Sequence, residues 1–173
     1  MYVVDDRSLQ VFDLSQATNP TLINTINLGW GIETIFPYGD KLFIGSRTGM
    51  HIYDNANPSA PQMLSIFAHA NACDPVFVDG DIAYVTLRDG NECQNFINQL
   101  DVVDISDLTN PVLLKTYPMH RPIGLSVLDN HLYLCDDDEG LKVFDVSSWQ
   151  HIDQRQVAHL RGFTTRDVIT LAT

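Results

Sequence analysis

Basic residues are scarce in this sequence of 173 residues, which contains 10 lysines and arginines against 22 aspartates and glutamates. The net charge of −12 argues against a nucleic-acid partner, because phosphates select basic surfaces. The same charge argues against binding to anionic membranes. The chain is long enough to bury a substantial core, and we expect residues 1–173 to form a single domain.

Long apolar runs and common catalytic motifs are absent as well. No stretch approaches the roughly 18 apolar residues of a transmembrane helix, so we expect none. The opening residues, MYVVDD, lack the basic end and the apolar centre of a signal peptide. The sequence has no GxSxG or HExxH motif and its six histidines are scattered, so no residue is predicted to be catalytic.

Cysteine is rare in the sequence. The three cysteines are Cys73, Cys93 and Cys135, and no two of them form a CxxC pair. The absence of such pairs argues against a zinc site. An odd number of cysteines does not define a disulfide framework by itself.

The sequence does contain one short pattern four times. Each copy has an apolar residue, a variable residue, two further apolar residues and then aspartate. The copies begin at residues 9, 50, 100 and 141, so their starts are 41, 50 and 41 residues apart. A period of about 40 residues predicts stacked units, each of which buries its apolar surface against its neighbours. The four copies are Leu9–Ser15, Met50–Ala56, Leu100–Ser106 and Leu141–Ser147.

The composition of this pattern favours a strand that ends in a turn. Valine, isoleucine, phenylalanine and tyrosine dominate its apolar positions, as is typical of strands. In three copies a proline follows the aspartate by seven residues, and proline cannot donate to a strand ladder. We therefore predict a strand, a turn and a second strand that starts at the proline. The aspartates are interpreted as turn formers rather than ligands, because all four occupy one repeat position.

The stretches LQVFDLS and LDVVDIS, each followed after four residues by proline, resemble the LVIVD repeat. The resemblance covers essentially the whole chain, although the second copy lacks the serine and the fourth lacks the proline. It implies a β-propeller of a family found mostly in secreted or surface-anchored bacterial proteins of undefined function. The resemblance therefore also implies an extracytoplasmic location, in the periplasm or at the cell surface.

Four strands can be assigned to each repeat, here called A to D from the propeller axis outward. The chain opens with a segment of type B, residues 1–6, and closes with one of type A, residues 166–173. We expect these two segments to share one blade, which gives an all-β propeller of four four-stranded blades. Two interpretations stay open. Either the ring closes within one chain, or the chain is half of a larger ring that a homodimer or further sequence completes.

In a propeller, the D–A and B–C loops lie on one face, where partners usually bind. Arginine repeats at the start of the B–C loops and could hold a carboxylate or sulfate through two hydrogen bonds. Alternatively, each arginine pairs with a neighbouring acid or packs over the next blade. The predicted binding residues on this face are Trp30, Arg47, His69, Asp74, Arg88, His120, Arg121 and Arg161.

Two groups on this face could hold a metal. The acidic run at Asp136, Asp137 and Asp138 offers oxygen ligands of the kind that Ca²⁺ takes, but it lacks the spacing of an EF-hand and is better interpreted as a solvated loop. His69 and His120 occupy matching repeat positions and could face one another across the channel mouth. Polar loop residues without a ligand are the favoured interpretation of this pair.

Together these features predict a non-catalytic binding scaffold that presents its loop face to a protein or a glycan. The alternative is a metal-dependent hydrolase that uses the same loops. Cys93 lies in a long polar B–C loop, residues 88–99, and Cys73 begins strand A of the same repeat. Both positions fall on this face, so a disulfide between them is geometrically reasonable, and it would tether the loop. The family resemblance supplies the oxidising compartment that such a bond needs. Cys135 is expected to stay reduced and buried in its strand.

One position of strand B carries a large aromatic residue in every repeat. An aromatic side chain at a fixed point of each blade is expected to lie in the core between neighbouring blades. We therefore predict that all four side chains are substantially buried. These residues are Tyr2, Phe43, Tyr84 and Tyr133.

Overall fold

The computed structural model of the chain describes residues 1–68, 75–89 and 97–171. These residues form four antiparallel sheets that we call blades 1 to 4. No helix among them is long and apolar enough to span a membrane. Blade 1 contains β1 (Tyr2–Val4), β2 (Ser8–Asp13) and β3 (Thr21–Asn27), and blade 2 contains β4 (Ile32–Tyr38), β5 (Lys41–Ser46), β6 (Gly49–Asp54) and β7 (Gln62–Phe67). Blade 3 contains β8 (Val76–Asp79), β9 (Ile82–Leu87), β10 (Gln99–Asp104) and β11 (Val112–Pro118). Blade 4 contains β12 (Leu125–Leu128), β13 (His131–Cys135), β14 (Leu141–Asp145) and β15 (Gln156–Leu160).

Each of blades 2 to 4 follows the chain strand by strand, which confirms the predicted all-β propeller. Two-residue turns join the first and second strands, as the sequence predicts. Gly39 and Gly80 have positive φ angles of 57° and 59°, and Asp129 and Asn130 are both left-handed in the blade 4 hairpin. Such turns match the twist of paired strands, so they set the register of each hairpin.

The four repeated motifs form β2, β6, β10 and β14. These strands occupy position C, which is the third strand in each of blades 2 to 4. The motif aspartates make the predicted turns. Asp13, for example, accepts a hydrogen bond from the Ser15 backbone N–H at 2.8 Å, and the aspartates of the other blades bond to the amide two residues on in the same way. These bonds hold the pKa of the carboxyls of Asp13, Asp54 and Asp145 below its ordinary value. The pKa of Asp104 is lowered first by the side-chain hydrogen bond from Ser106 and then by its backbone bond.

The core is divided between the blades rather than gathered in one centre. One apolar cluster joins blades 1 and 2 around Leu9 and Leu42, a second joins blades 2 and 3 around Phe43 and Val85, and a third joins blades 3 and 4 around Leu100. Among the described residues, no fourth cluster joins blade 4 to blade 1. The part of the chain that the structure describes therefore contains three packed blade interfaces.

Among the described residues, the C-terminal segment is not hydrogen-bonded to the N-terminal strand with which it is predicted to share a blade. Blade 1 has three strands, with β1 at its inner edge. Residues 166–170 run beside β12 instead, where the Gly124 N–H donates to the Arg166 carbonyl at 3.0 Å and the Ser126 and Thr170 hydroxyls lie 2.7 Å apart. Thr165 anchors the segment to blade 4, because its N–H and hydroxyl bond to the carbonyls of Asp137 and Gly140.

Close approach of this segment depends on a glycine. A Cβ at Gly124 would lie 2.3 Å from Oδ1 of Asp167 and 2.6 Å from its Cα atom, distances that no side chain could tolerate without displacing the backbone. Any larger residue would hold the C-terminal segment away from β12.

The predicted burial of the four strand B aromatics is correct for two of them. Phe43 and Tyr84 are 1% and 3% exposed and lie in the interfaces on either side of blade 3. Tyr2 and Tyr133 are only half-buried. Tyr2 belongs to the blade without an inner strand, and Tyr133 lies on the face of blade 4 that no other blade covers in the described residues.

Candidate functional site: the loop face

The loops at one end of the blades converge on a surface that we call the loop face. Contacts between D–A and B–C loops confirm that both sets lie at the same end. Arg7 lies over Trp30, for example, and Arg121 reaches Asp137. The described segments of the loop face are residues 5–7, 28–31, 47–48, 88–89, 119–124, 136–140 and 161–166.

Trp30 is the most exposed aromatic side chain of the predicted set. It is 52% exposed and lies between two glycines, Gly29 and Gly31, whose positive φ angles of 110° and 62° form the turn. The Arg7 guanidinium lies 4.2 Å from the centre of its ring, a cation–π contact that orders both side chains. The indole is thus held in place while much of its surface faces solvent.

Arg47 lies beside this turn, where its backbone N–H donates to the Gly31 carbonyl at 3.0 Å. It helps to line a cavity of about 330 Å³ between blades 1 and 2. The wall of this cavity carries three carboxylates and one guanidinium. Two of the carboxylates are paired with arginines, since Asp6 lies 3.6 Å from Arg7 and Glu33 lies 3.5 Å from Arg88. The lining residues are Val4, Asp5, Asp6, Gly31, Ile32, Glu33 and Arg47.

The remaining arginines of the predicted set form ion pairs, in agreement with the alternative that each pairs with a nearby acid. Arg88 of blade 3 reaches Glu33 of blade 2 at 3.5 Å. Arg121 lies 2.9 Å from Asp137 and 3.5 Å from Asp89, so it joins blades 3 and 4. These pairs connect neighbouring blades on the loop face.

Two further predicted residues bond to the acidic run. Nε2 of His120 lies 2.8 Å from Asp138, and Arg161 contacts Nδ1 of His159 at 2.9 Å and Glu139 at 3.9 Å. Both side chains are largely exposed, and such surface pairs contribute little to stability. His69 and Asp74 lie outside the described residues, so the predicted pairing of His69 with His120 is untested.

The acidic run is tied to nitrogen donors. Asp136 is fully buried and accepts hydrogen bonds from the backbone N–H of Arg121 at 2.6 Å and from the Lys142 ammonium. The Asp137 carboxylate accepts a hydrogen bond from the Arg121 guanidinium at 2.9 Å, and the Arg166 guanidinium lies 3.6 Å from it. A calcium ion would have to displace these donors, and the described residues contain no group of three or more metal-binding side chains. Calcium binding at Asp136, Asp137 and Asp138 stays a prediction.

Sequence reasoning missed a buried polar position within the repeated motif. The second motif residue is Gln10, His51, Asp101 and Lys142 in blades 1 to 4, and each bonds to a side chain of its own blade. Nε2 of His51 lies 2.9 Å from the Thr48 hydroxyl, while Asp101 accepts from Thr116 at 2.6 Å. Burial lowers the pKa of His51 and raises the pKa of Asp101. The sequence signal that could have identified this position is the polar residue that all four repeats carry there.

A second cavity, of about 550 Å³, lies on the inner side of blades 2 to 4. It is lined by inner strands β4, β8 and β12 and by residues 167–170. Phe36 and Phe77 lie 4.5 Å apart between ring centres in this lining. The cavity is mainly apolar, and it contains none of the predicted binding residues.

The repeat pattern also matches a described family. The family model of the LVIVD repeat matches residues 1–27, 71–118 and 123–150, more than half of the chain. The chain belongs to the LVIVD repeat family. Within this LVIVD repeat protein, the matched ranges cover blade 1, blade 3 and most of blade 4. No curated protein sequence matches the chain significantly.

Solved structures share the propeller fold at low sequence identity. The computationally designed protein Ika4 superposes with a TM-score of 0.60 at 16% identity, over 81% of this chain and 80% of that one. The designed protein Ika8 superposes with a TM-score of 0.68 at 15% identity, over 99% of this chain and 52% of that one. A structure of S. cerevisiae Dbp5 bound to Nup159, Gle1, IP6 and ADP contains a similar chain, with a TM-score of 0.53 at 14% identity over 95% of this chain and 41% of that one.

The LVIVD chain therefore spans about half the length of Ika8 and less than half of the chain in the Dbp5 complex. At these identities the likeness concerns the fold alone. A repeat propeller supports a role in binding, since such folds present loops on a rigid frame.

Proposed function

We propose that this LVIVD protein is a non-catalytic scaffold whose loop face binds a basic segment of a protein partner. The observation that carries the proposal is Trp30, a half-exposed indole fixed by Arg7 and flanked by the acidic cavity between blades 1 and 2. Tryptophan and arginine are the residues that most often dominate protein interfaces. An ordered aromatic side chain also loses little entropy when a partner binds it.

Charge and fold support the same class of partner. The net charge of −12 attracts basic segments and accelerates their encounter with the protein. The similar chain in the Dbp5 structure belongs to an assembly of proteins, which is consistent with protein binding by a propeller of this kind.

A selection from a phage-displayed library of random peptides tests this proposal. Peptides enriched on the wild-type chain are expected to be rich in lysine and arginine, and to lose at least tenfold in affinity for Trp30→Ala. The matched control is Met63→Ala, which removes a similarly exposed side chain from outer strand β7 and should bind normally. Equal binding by the two variants would contradict the proposal. Trp30-dependent binding on a glycan array, without any peptide selection, would assign a glycan instead.

The family resemblance also supports a location outside the cytoplasm, and we include that location in the proposal. Cys73 and Cys93, the predicted disulfide pair, lie outside the described residues. Cys135 is buried in β13, where burial raises the pKa of its thiol. Thiol counting on protein isolated from its native compartment, under denaturing and non-reducing conditions, is expected to give one free thiol. Three free thiols would contradict both the bridge and the oxidising compartment.

A further inference from the structure

Blade 1 has one covered face and one free face. Successive residues of a strand point to opposite faces of its sheet. Tyr2, Val4 and Leu9 point into the interface with blade 2. The opposite face carries four apolar side chains that no blade covers in the described residues. By strand register these are Met1, Val3, Phe12 and Leu22, and all but the half-buried Phe12 are at least 40% exposed.

Blade 4 is free on the complementary face. Its covered face contributes Leu132, Leu134 and Phe144 to the interface with blade 3. The other face carries Tyr133 and Leu141, both half-buried, and the exposed Leu160. Tyr133 occupies the repeat position of Phe43 and Tyr84, which are buried by the next blade. The free face of blade 4 therefore has the chemistry of a surface on which another blade packs.

The inner edge of blade 1 is also unpaired in the described residues, just as its free face is uncovered. The Met1 carbonyl accepts from the Phe12 N–H at 2.8 Å, and the Asp5 N–H donates to Ser8 at 3.0 Å, so odd residues of β1 turn their backbone groups toward β2. The backbone groups of Tyr2 and Val4 consequently point to the inner edge, where blades 2 to 4 have a fourth strand. Blade 1 is thus one inner strand short in the described residues.

The strand that would fill this position is present at the other end of the chain. Residues 166–170 run parallel to β12, where the inner strand of a following blade belongs. Their outward side is apolar, because Ile169 and Leu171 are 79% and 77% exposed. An extended, exposed apolar segment of this kind pairs readily with a free strand edge.

We propose that two copies of this chain form one closed ring. Residues 166–171 of each copy pair with β1 of the other, and the free face of each blade 4 packs on the free face of the other blade 1. The two contacts are equivalent under a two-fold axis, so no edge is left for further growth. Each contact repeats the arrangement that joins successive blades within a chain.

The open arrangement of the described residues favours a second copy over closure within one chain, because no apolar cluster joins blade 4 to blade 1 and residues 166–170 are not paired with β1. In addition, 99% of this chain superposes on about half of the longer Ika8, with a TM-score of 0.68. The proposal goes beyond the loop-face function and does not depend on it, since the interface involves blade faces rather than loops.

Light scattering coupled to size-exclusion chromatography measures the mass of the 173-residue chain. We expect twice 19.4 kDa, the mass of one chain, and no larger species. Val3→Glu places a charge on the free face of blade 1 and is expected to give a folded monomer. Val112→Glu alters a valine of similar exposure, 49% against 40% for Val3, on outer strand β11 and should stay dimeric.

If Val3→Glu fails to fold, the double variant Ile169→Glu and Leu171→Glu supplies the second test, because both side chains are almost fully exposed in one copy. It is expected to be a folded monomer by the same measurement. A wild-type mass of one chain would overturn the proposal. Open-ended oligomers, or a dimer that all three variants leave intact, would also overturn it.

Discussion

The second residue of the repeated motif shows how one backbone position accepts different polar side chains. His51 and Asp101 are both buried in the sheet, yet each keeps a hydrogen bond within its blade. The sequence shows that the position is polar in all four repeats. It cannot show burial, because the neighbouring blade that covers the side chain is supplied by residues tens of positions away in the chain.

Burial of His51 makes stability depend on pH. Because desolvation lowers its pKa in the folded state, the unfolded chain binds more protons below its ordinary pKa of 6.5. The free energy of unfolding is therefore expected to fall as pH decreases from 6.5. His51→Gln, which places the blade 1 residue in blade 2, should reduce this loss. Urea unfolding of both proteins between pH 5 and pH 7.5 measures it, and identical pH profiles would contradict the argument.

Asp101 is expected to change the pH dependence of stability in the opposite direction to His51. Burial raises the pKa of this carboxyl, so its contribution to stability is fully present below the ordinary value of 3.8 and is lost as pH rises through the raised value. Asp101→Asn removes the buried charge, and its Oδ1 can still accept from Thr116 and Gln99. Thermal melts at pH 7 should show a variant at least as stable as the wild type. Clear destabilisation at pH 7 would mean that the ionised carboxylate is preferred.

At the scale of strands and turns, the sequence predicts the motif strands and the hairpins well. Apolar runs mark β2, β6, β10 and β14, and the Gly-Asp and Asp-Asn pairs mark the two-residue turns. The sequence does not predict the bulge that recurs beside each motif strand, as between Val11 and Phe12. A bulge arises from the fit between two paired strands, so no single segment specifies it.

Phe43 tests the register of these strands. Its side chain is 1% exposed in the interface between blades 2 and 3. Phe43→Ala is expected to reduce the free energy of unfolding by about 3–5 kcal/mol, as for other buried aromatic residues. Denaturant unfolding measures the change, with Met63→Ala as an exposed control that should cost far less. A loss below about 1 kcal/mol for Phe43→Ala would place the residue outside the core.

For the whole molecule, the repeat period predicts the propeller but not the way in which its ends meet. The C-terminal segment has the apolar pattern of an inner strand, and the structure places it beside β12 without pairing it to β1. Which β1 edge it meets depends on the curvature of all four blades together. Curvature results from blade packing summed over the ring, which no local pattern encodes.

In the candidate site, too, the sequence predicts which residues share a face but not the contacts between blades. The repeat register assigns Trp30, Arg88 and Arg121 to one face. In the structure they contact Arg7, Glu33 and Asp137 respectively, and binding by these residues stays a prediction. The ion pair between Arg88 and Glu33 joins different blades, and the sequence gives no sign of it. Predicting this ion pair requires the rotation of blade 3 relative to blade 2, because that rotation sets the distance between the two side chains.

Fluorescence of Trp30 tests the proposed binding surface most directly. In a Trp149→Phe background, Trp30 is the one remaining tryptophan, and it lies half-exposed beneath Arg7. Titration with a basic peptide from the library selection is expected to shift its emission to shorter wavelength, because the bound peptide removes water from the indole. The shift should saturate at the peptide concentration that saturates binding. Saturable binding that leaves the Trp30 emission unchanged would contradict the assignment of the loop face as the binding surface.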